Sequence, residues 1–294
     1  MTEDSRPLYK RIYEDHYKVL MIIPFLMLIL SVVQIGAMYA TTGEIMHRGV
    51  SLKGGVSITI PDLEADINAL SADLRSSLPN ADFEVRSLLQ TKGVLVDASD
   101  VTPEELLVVL NRHFGGLSKD QYSIEQFGSS LGDSFFVQTL RALVLAFLFM
   151  AVVVFVAFRN LVSGLTVICA AFADIVVTLA ILNVAGVRMS TAGIAALLML
   201  IGYAVDNDVL LSTHVHKRTK GTMMERIYTA MGTGIVMSCT AIAVTIVGLL
   251  MSKSPVISQI MLILLVGSIV DIITTYIFNT GIIRLTYKQR HEHH

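Results

Sequence analysis

Four aspartates lie within long apolar stretches of this sequence, and their carboxyl groups are the side chains best placed to do chemistry there. They are Asp174, Asp206, Asp208 and Asp271. An acidic side chain at the centre of a membrane helix costs roughly 2.5–3.5 kcal/mol, so such residues face protein or water and often belong to proton relays. The four aspartates are therefore candidates for proton handling inside a membrane.

Two of these aspartates lie on helix faces made of small and polar residues. Residues four apart in a helix share one face, and a small, polar stripe in a membrane helix must face protein or water rather than lipid. Asp174 and Asp271 are predicted to act as relay or hydrogen-bond partners on these faces. The two stripes are Thr166, Ala170, Asp174 and Thr178, and Gly267, Asp271, Thr275 and Asn279.

The other two aspartates are two positions apart, so they point to different sides of their helix. Asp206 is predicted to be the main proton-titrating residue, with Asp208 as its alternative. Gly202 lies one turn before Asp206 on the same face and leaves room for a neighbouring helix or for water. A purely hydrogen-bonding role stays open for each aspartate, and Asp208 is also close enough to the helix end to reach headgroup water.

The elements that hold these residues are predicted from hydropathy. The chain is 53% hydrophobic and 16% charged, whereas a soluble domain carries about 25% charged residues. A membrane span needs about 20 apolar residues. Six runs qualify: Val19–Ala40, Thr139–Phe158, Leu161–Asn183, Ser190–Thr213, Ile227–Met251 and Val256–Ile283.

The order of these runs predicts a polytopic α-helical membrane protein with one folded domain outside the bilayer. Residues 1–18 form a tail, 19–40 the first span, 41–137 the domain, 138–283 a five-helix bundle and 284–294 a second tail. Basic residues flank the spans mainly on one side, which places both termini in the cytoplasm. The domain has 7 basic and 14 acidic residues and is predicted to lie outside. We expect a multi-pass protein of the cell membrane.

The domain is predicted to be a ferredoxin-like α+β unit. Segments in which apolar residues recur every second position, as in strands, and segments with helical spacing follow one another in the order β-α-β-β-α-β. The second helix is predicted to start at Thr102-Pro103-Glu104-Glu105. Threonine is favoured at the N-cap, proline at the first helical position and glutamate at the third. The domain contains no acid pair beside a nucleophile, no metal-ligand spacing and no phosphate-binding loop. We therefore expect neither an enzyme nor a bound cofactor or metal.

Three motifs occur in order along the chain and resemble those of the SecD/SecF family of protein-export membrane proteins. Gly49-Val50-Ser51-Leu52-Lys53-Gly54-Gly55 follows the first span, and Phe127-Gly128-Ser129-Ser130-Leu131-Gly132 precedes the second. The segment 200–211 contains Gly202, Tyr203 and Asn207 and resembles the fourth-span motif in its archaeal form. The six-span layout is similar as well, so the resemblance covers nearly the whole chain.

The resemblance implies a role in polypeptide export driven by the proton-motive force. Its expected partners are SecD, the SecYE translocon, the translocating polypeptide and the lipid bilayer, with no nucleic acid. One position departs from the family pattern: Asn207 stands where bacterial SecF proteins carry the fourth-span acid, and Asp206 stands where SecD proteins carry it. A small-molecule or lipid exporter of the wider resistance-nodulation-division superfamily and a purely structural subunit are the alternative functions.

Overall fold

Six helices in the described part of the chain are long and apolar enough to cross a membrane. The computed structural model describes residues 13–63, 65–79, 81–88, 93–159, 161–217 and 221–285. The spans are Tyr17–Thr42, Ser129–Phe158, Ser163–Val184, Thr191–Val215, Met223–Met251 and Pro255–Leu285. The prediction of six spans is confirmed, and they are numbered first to sixth below.

The second span begins ten residues earlier than the sequence predicted. Its helix starts at Ser129, directly after the extended residue Gly128, so residues 129–137, predicted as part of the domain, are helical. The polar residues after Gly128 make this stretch look like part of the domain. They form instead the first turns of the helix. Gly132 lies in these turns and packs against the domain backbone, since a Cβ atom there would lie 2.8 Å from the Gly54 nitrogen.

The domain between the first two spans is built on a four-stranded sheet. Its strands are β1 (Gly55–Ile60), β2 (Asp82–Leu88), β3 (Gly93–Ser99) and β4 (Ser123–Phe127). They lie in the order β2-β3-β1-β4 with every neighbouring pair antiparallel. One helix, Ile67–Ser77, connects β1 to β2, and a second, Pro103–Phe114, lies between β3 and β4.

Both domain helices pack on one face of this sheet and form its core. The second helix begins with the capping box predicted from Thr102 and Glu105. Burying apolar side chains here stabilises the domain at about 25 cal/mol per Å² removed from water. The fully buried members are Val56, Ile58, Ile60, Leu70, Leu74, Val94, Val96, Ala98, Leu106 and Leu110.

The other face of the sheet looks towards the bundle, where two glycines permit close contact. Gly54 and Gly55 have φ angles of 91° and 141°, a region that side-chain-bearing residues rarely adopt. A Cβ atom at Gly55 would strike the carbonyl oxygen of Ala98, and one at Gly54 would strike Ser129. The glycine pair thus lets β1 pass between β3 and the start of the second span.

Candidate functional site

Three of the four candidate aspartates meet inside the bundle. Asp174 of the third span, Asp208 of the fourth and Asp271 of the sixth each have 0% exposed surface. All three carboxyls are hydrogen-bonded to one segment of the sixth span, the π-helical turn Thr274–Asn279. Such turns are frequent at functional sites because they redirect side chains within a helix. We call these three residues the carboxyl cluster.

Thr275 joins two members of the cluster. Its hydroxyl oxygen lies 2.9 Å from Oδ1 of Asp208 and 3.0 Å from Oδ1 of Asp271. A hydroxyl has one proton to donate, so it donates to one oxygen and accepts from the other only if that second carboxyl carries a proton. The geometry therefore suits a pair of carboxyls that share a proton. Asn279 adds a donor, with its Nδ2 atom 2.6 Å from Oδ1 of Asp208.

Asn207 connects the cluster to the fifth span. Its side-chain nitrogen donates to Oδ2 of Asp271 at 2.5 Å and to the Ser238 hydroxyl at 3.0 Å. Asn207 is 2% exposed. The residue that departs from the bacterial family pattern thus lies inside the cluster as a hydrogen-bond donor to an acid of another helix.

Asp174 is the third member and is held differently. The Thr274 hydroxyl donates to its Oδ1 atom, while its Oδ2 atom has no hydrogen-bond partner in the described part of the chain. Thr178, one turn later on the same face, likewise has a buried hydroxyl without such a partner. Thr274 and Thr275 are consecutive, so one turn of the sixth span contacts all three carboxyls.

The cluster has more acceptors than donors and no positive charge. Among the described residues, no ion pair joins these carboxyls to a lysine, arginine or histidine. The buried oxygens Asp208 Oδ2, Asn207 Oδ1 and Asn279 Oδ1 also have no donor there. An ionised carboxylate is very costly to bury without a partner. The arrangement is therefore chemically suited to binding protons.

Metal binding has no support from the described side chains. Within those residues, no group of three or more His, Cys, Asp or Glu could hold a metal ion. His214 is 7% exposed and its Nδ1 atom lies 2.9 Å from the Leu210 carbonyl oxygen.

Asp206, predicted from the sequence as the main proton-titrating residue, does not belong to the cluster. Its side chain is exposed on the bundle surface, as is Gly202 one turn earlier. Two positions in a helix correspond to about 200° of rotation, so packing Asp208 inward turns Asp206 outward. The neighbouring motif residue Tyr203 is half-buried and donates from its hydroxyl to the Met237 carbonyl oxygen at 3.2 Å.

Sequence reasoning missed two residues of the site. Thr274 lies one position off the predicted stripe, is the first residue of the π turn and donates to Asp174. Ser238 reads as part of a small-residue packing stripe, yet it accepts a hydrogen bond from Asn207. No local pattern identifies the π turn, and the pairing of Ser238 with Asn207 depends on how the fourth and fifth spans pack.

The glycine-rich motif residues lie at the junction of domain and bundle. The Gly49 nitrogen donates to the Met189 carbonyl oxygen at 2.8 Å, and the Met189 nitrogen donates to the His47 carbonyl oxygen at 2.7 Å. Gly128 precedes the second span, and Leu131 in its first turn is 50% exposed. This junction ties the domain to the loop that leads into the fourth span.

Arg188 in that loop forms the main electrostatic contact with the domain. Its guanidinium lies 2.7 Å from Oδ1 of Asp82 and 3.2 Å from Oε2 of Glu84. Burial would raise the pKa of Asp82, but the hydrogen bonds and charges of Arg188 and Lys53 outweigh it and lower that pKa. Burial raises the pKa of Glu84, and the charges of Arg86 and Arg188 oppose the rise.

Comparison with known proteins agrees with this architecture. The family model for the C-terminal part of the protein export membrane proteins SecD and SecF matches residues 108–289. The chain belongs to the SecD/SecF family. It is 33% identical over 279 residues to the protein-export membrane protein SecF of Methanocaldococcus jannaschii, covering 91% of this chain and 95% of the relative. The Pyrococcus furiosus SecF is 31% identical, with 96% and 95% covered.

Family members of known structure share the fold. The crystal structure of SecDF, a translocon-associated membrane protein from Thermus thermophilus, superposes with a TM-score of 0.74 at 18% identity. The match covers 98% of this chain and 40% of the SecDF chain. A second SecDF structure, in a super-membrane-facing form, gives a TM-score of 0.55. This SecD/SecF family chain is thus a multi-pass membrane protein whose fold corresponds to less than half of SecDF.

Proposed function

We propose that this chain is an accessory subunit of the Sec protein translocase. It acts with SecD to promote polypeptide export through the SecYE channel, as a transport subunit and not as an enzyme. Its relatives over more than nine-tenths of the chain are named protein-export membrane proteins, and the matching crystal structure is of a translocon-associated protein. These names support the proposal, and the carboxyl cluster supports its energy source.

Protons drive the subunit, and the carboxyl cluster binds them. The observation that carries this proposal is the Thr275 hydroxyl placed between Asp208 and Asp271 in an acceptor-rich interior. One elementary charge moved across 100 mV supplies about 2.3 kcal/mol. Loading or releasing a proton would change the hydrogen bonds of three spans at once, which suits conversion of a gradient into helix movement.

SecD covers the face of the fourth span that carries Asp206. Exposed positions recur there at helical spacing, at Ala195, Met199, Gly202 and Asp206. A carboxyl on such a face is not expected to contact lipid, and an exposed glycine allows a second helix to approach closely. Asp206 accordingly has a contact role at the SecD interface, separate from the cluster.

The placement of the chain in the cell membrane follows from its basic flanks. Both termini are cytoplasmic and the sheet domain is extracytoplasmic, where it can meet the emerging polypeptide. The domain is ferredoxin-like, which is supported by the β-α-β-β-α-β order and the β2-β3-β1-β4 sheet. The N-terminal tail, the loop after the fourth span and the C-terminal end carry the basic residues that support this orientation.

The test compares cluster variants in an export assay with and without a proton gradient. Asp208→Asn and Asp271→Asn keep side-chain shape and remove titration. Both should leave expression and SecD co-purification intact and abolish the gradient-dependent part of export. Asp206→Asn makes the same substitution on the exposed face of the same helix and should retain gradient stimulation, with SecD co-purification measured in parallel because Asp206 lies on the proposed SecD interface.

Two results would change the proposal. Normal gradient-driven export by the Asp208→Asn/Asp271→Asn double variant would favour a purely structural subunit. Loss of stimulation in Asp206→Asn alone, with SecD still co-purifying, would return the proton-binding role to the residue first predicted from the sequence.

A further inference from the structure

A cavity of about 300 Å³ lies between the domain sheet and the bundle. Its walls include Thr59 and Phe127 of the sheet, and its floor includes Ser190 and Gln259 at the ends of the fourth and sixth spans. The floor is polar: the Ser190 hydroxyl donates to Gln259, whose Nε2 atom donates to the Arg188 carbonyl oxygen at 2.6 Å. We call this space the junction cavity.

The sixth span leads from the junction cavity to the carboxyl cluster. Steps of four residues from Gln259 pass Ile263 and Gly267 and reach Asp271, so these residues lie on one face. Twelve residues of helix correspond to about 18 Å. All four residues are buried, so this face forms an internal seam, packed against the fourth span, between the two polar regions.

The middle of this seam is closed by apolar side chains. Leu197, Leu200 and Ile263 are each 0% exposed. Leu200 rests on Gly267, because a Cβ atom at that glycine would lie 2.5 Å from both Leu200 methyl carbons. A dry constriction of this kind blocks water and ions without any covalent barrier.

We propose that Leu200, seated on Gly267, is the gate between the junction cavity and the carboxyl cluster. It prevents protons on the domain side from reaching the cluster until the fourth and sixth spans separate. The inference rests on the proposed proton-driven function and assigns a gating residue to it. Gly267 provides the seat, and Ala204, one turn beyond Leu200 and 1% exposed, lies on the closed side.

Thiol accessibility tests the gate with full-length protein in nanodiscs. The background carries Cys169→Ser and Cys239→Ser, which remove both native cysteines. Gln259→Cys places a thiol in the cavity, and Ala204→Cys places one beyond the gate. The rate at which each thiol reacts with methanethiosulfonate ethylammonium is measured by mass spectrometry. Ala204→Cys should react about tenfold more slowly than Gln259→Cys, since a dry constriction excludes the charged reagent.

Opening the gate should remove that difference. Leu200→Ala should accelerate labelling of Ala204→Cys towards the Gln259→Cys rate. Leu182→Ala truncates an equally buried leucine of the same apolar cluster in the third span and should leave labelling slow. If Leu200→Ala does not fold, Leu200→Val takes its place and should give an intermediate acceleration.

The outcomes separate the gate from the proposed function. Fast labelling of Ala204→Cys beside intact Leu200 overturns the gate. An unchanged rate in the folded Leu200 variant, or equal acceleration by Leu182→Ala, also overturns it. Each of these results leaves proton use by the cluster standing, because that is decided by the export assay of the aspartate variants.

Discussion

Replacing Thr275 by valine removes the hydroxyl between two buried carboxyls while keeping the shape of the side chain. The hydroxyl oxygen lies 2.9 Å and 3.0 Å from the oxygens of Asp208 and Asp271, and Thr275 is 0% exposed. A hydrogen bond to a charged group contributes about 1.5–3 kcal/mol. We therefore expect Thr275→Val to lower the free energy of unfolding by about that amount.

Thermal unfolding in detergent measures this loss. At about 2–4 °C per kcal/mol for chains of 150–250 residues, the expected shift is a decrease of about 3–12 °C. Thr275→Ser keeps the hydroxyl and loses one methyl group, worth about 0.8 kcal/mol when buried, so it should melt much closer to the original protein. Thr275→Val should also weaken gradient-driven export more than Thr275→Ser does.

The comparison of Thr275→Val with Thr275→Ser tests whether the Thr275 hydroxyl holds Asp208 and Asp271 together. If Thr275→Val and Thr275→Ser melt at the same temperature and export equally under a gradient, the hydroxyl does not hold the two carboxyls. The proton-sharing geometry would then have no functional basis, and the acids would have to act independently.

Four further predictions concern the domain. Arg188→Ala should detach the domain from the bundle, which spin-label distance measurements would show as a broader distance distribution; an unchanged distribution would mean that the backbone contacts suffice. Asp82 has a pKa lowered by Arg188 in spite of burial, so its contribution to attachment should be present at neutral pH and lost as pH falls through that lowered value; the same distances, recorded from pH 7 downward, check this sign. Gly55→Ala should prevent β1 from pairing with β3 and make the domain sensitive to trypsin, whereas Gly128→Ala, which meets open space, should not. Ser77→Cys should react with an impermeant thiol reagent in intact cells, and reaction only after lysis would invert the membrane orientation.

The sequence predicted the parts of the fold that depend on neighbouring residues. A span needs only about 20 consecutive apolar residues, so all six were found, five of them with bounds within four residues of those observed. Helix starts are equally local, as the capping box at Thr102 shows. The start at Ser129 was misplaced because the first turns of this helix are polar, and the close contact of Gly132 with the domain backbone is not visible in hydropathy.

The sequence also identified the acids of the site, but it placed first Asp206, which is exposed, ahead of the buried Asp208. The stripes containing Asp174 and Asp271 face inward, as their small and polar neighbours indicated. Periodicity established that Asp206 and Asp208 point to different sides of their helix. It could not tell which side faces protein, because both sides of that helix carry small and apolar residues.

Only the tertiary structure decided which acids meet. The partner of Asp208 lies 67 residues away at Thr275, and that of Asp174 lies 100 residues away at Thr274. Such contacts depend on how the third, fourth and sixth spans pack and on a π turn that brings Thr274 and Thr275 to different carboxyls. A buried carboxyl is stabilised by the donors around it. The donors to Asp174 and Asp208 come from another helix, so no local pattern in the chain could assign them.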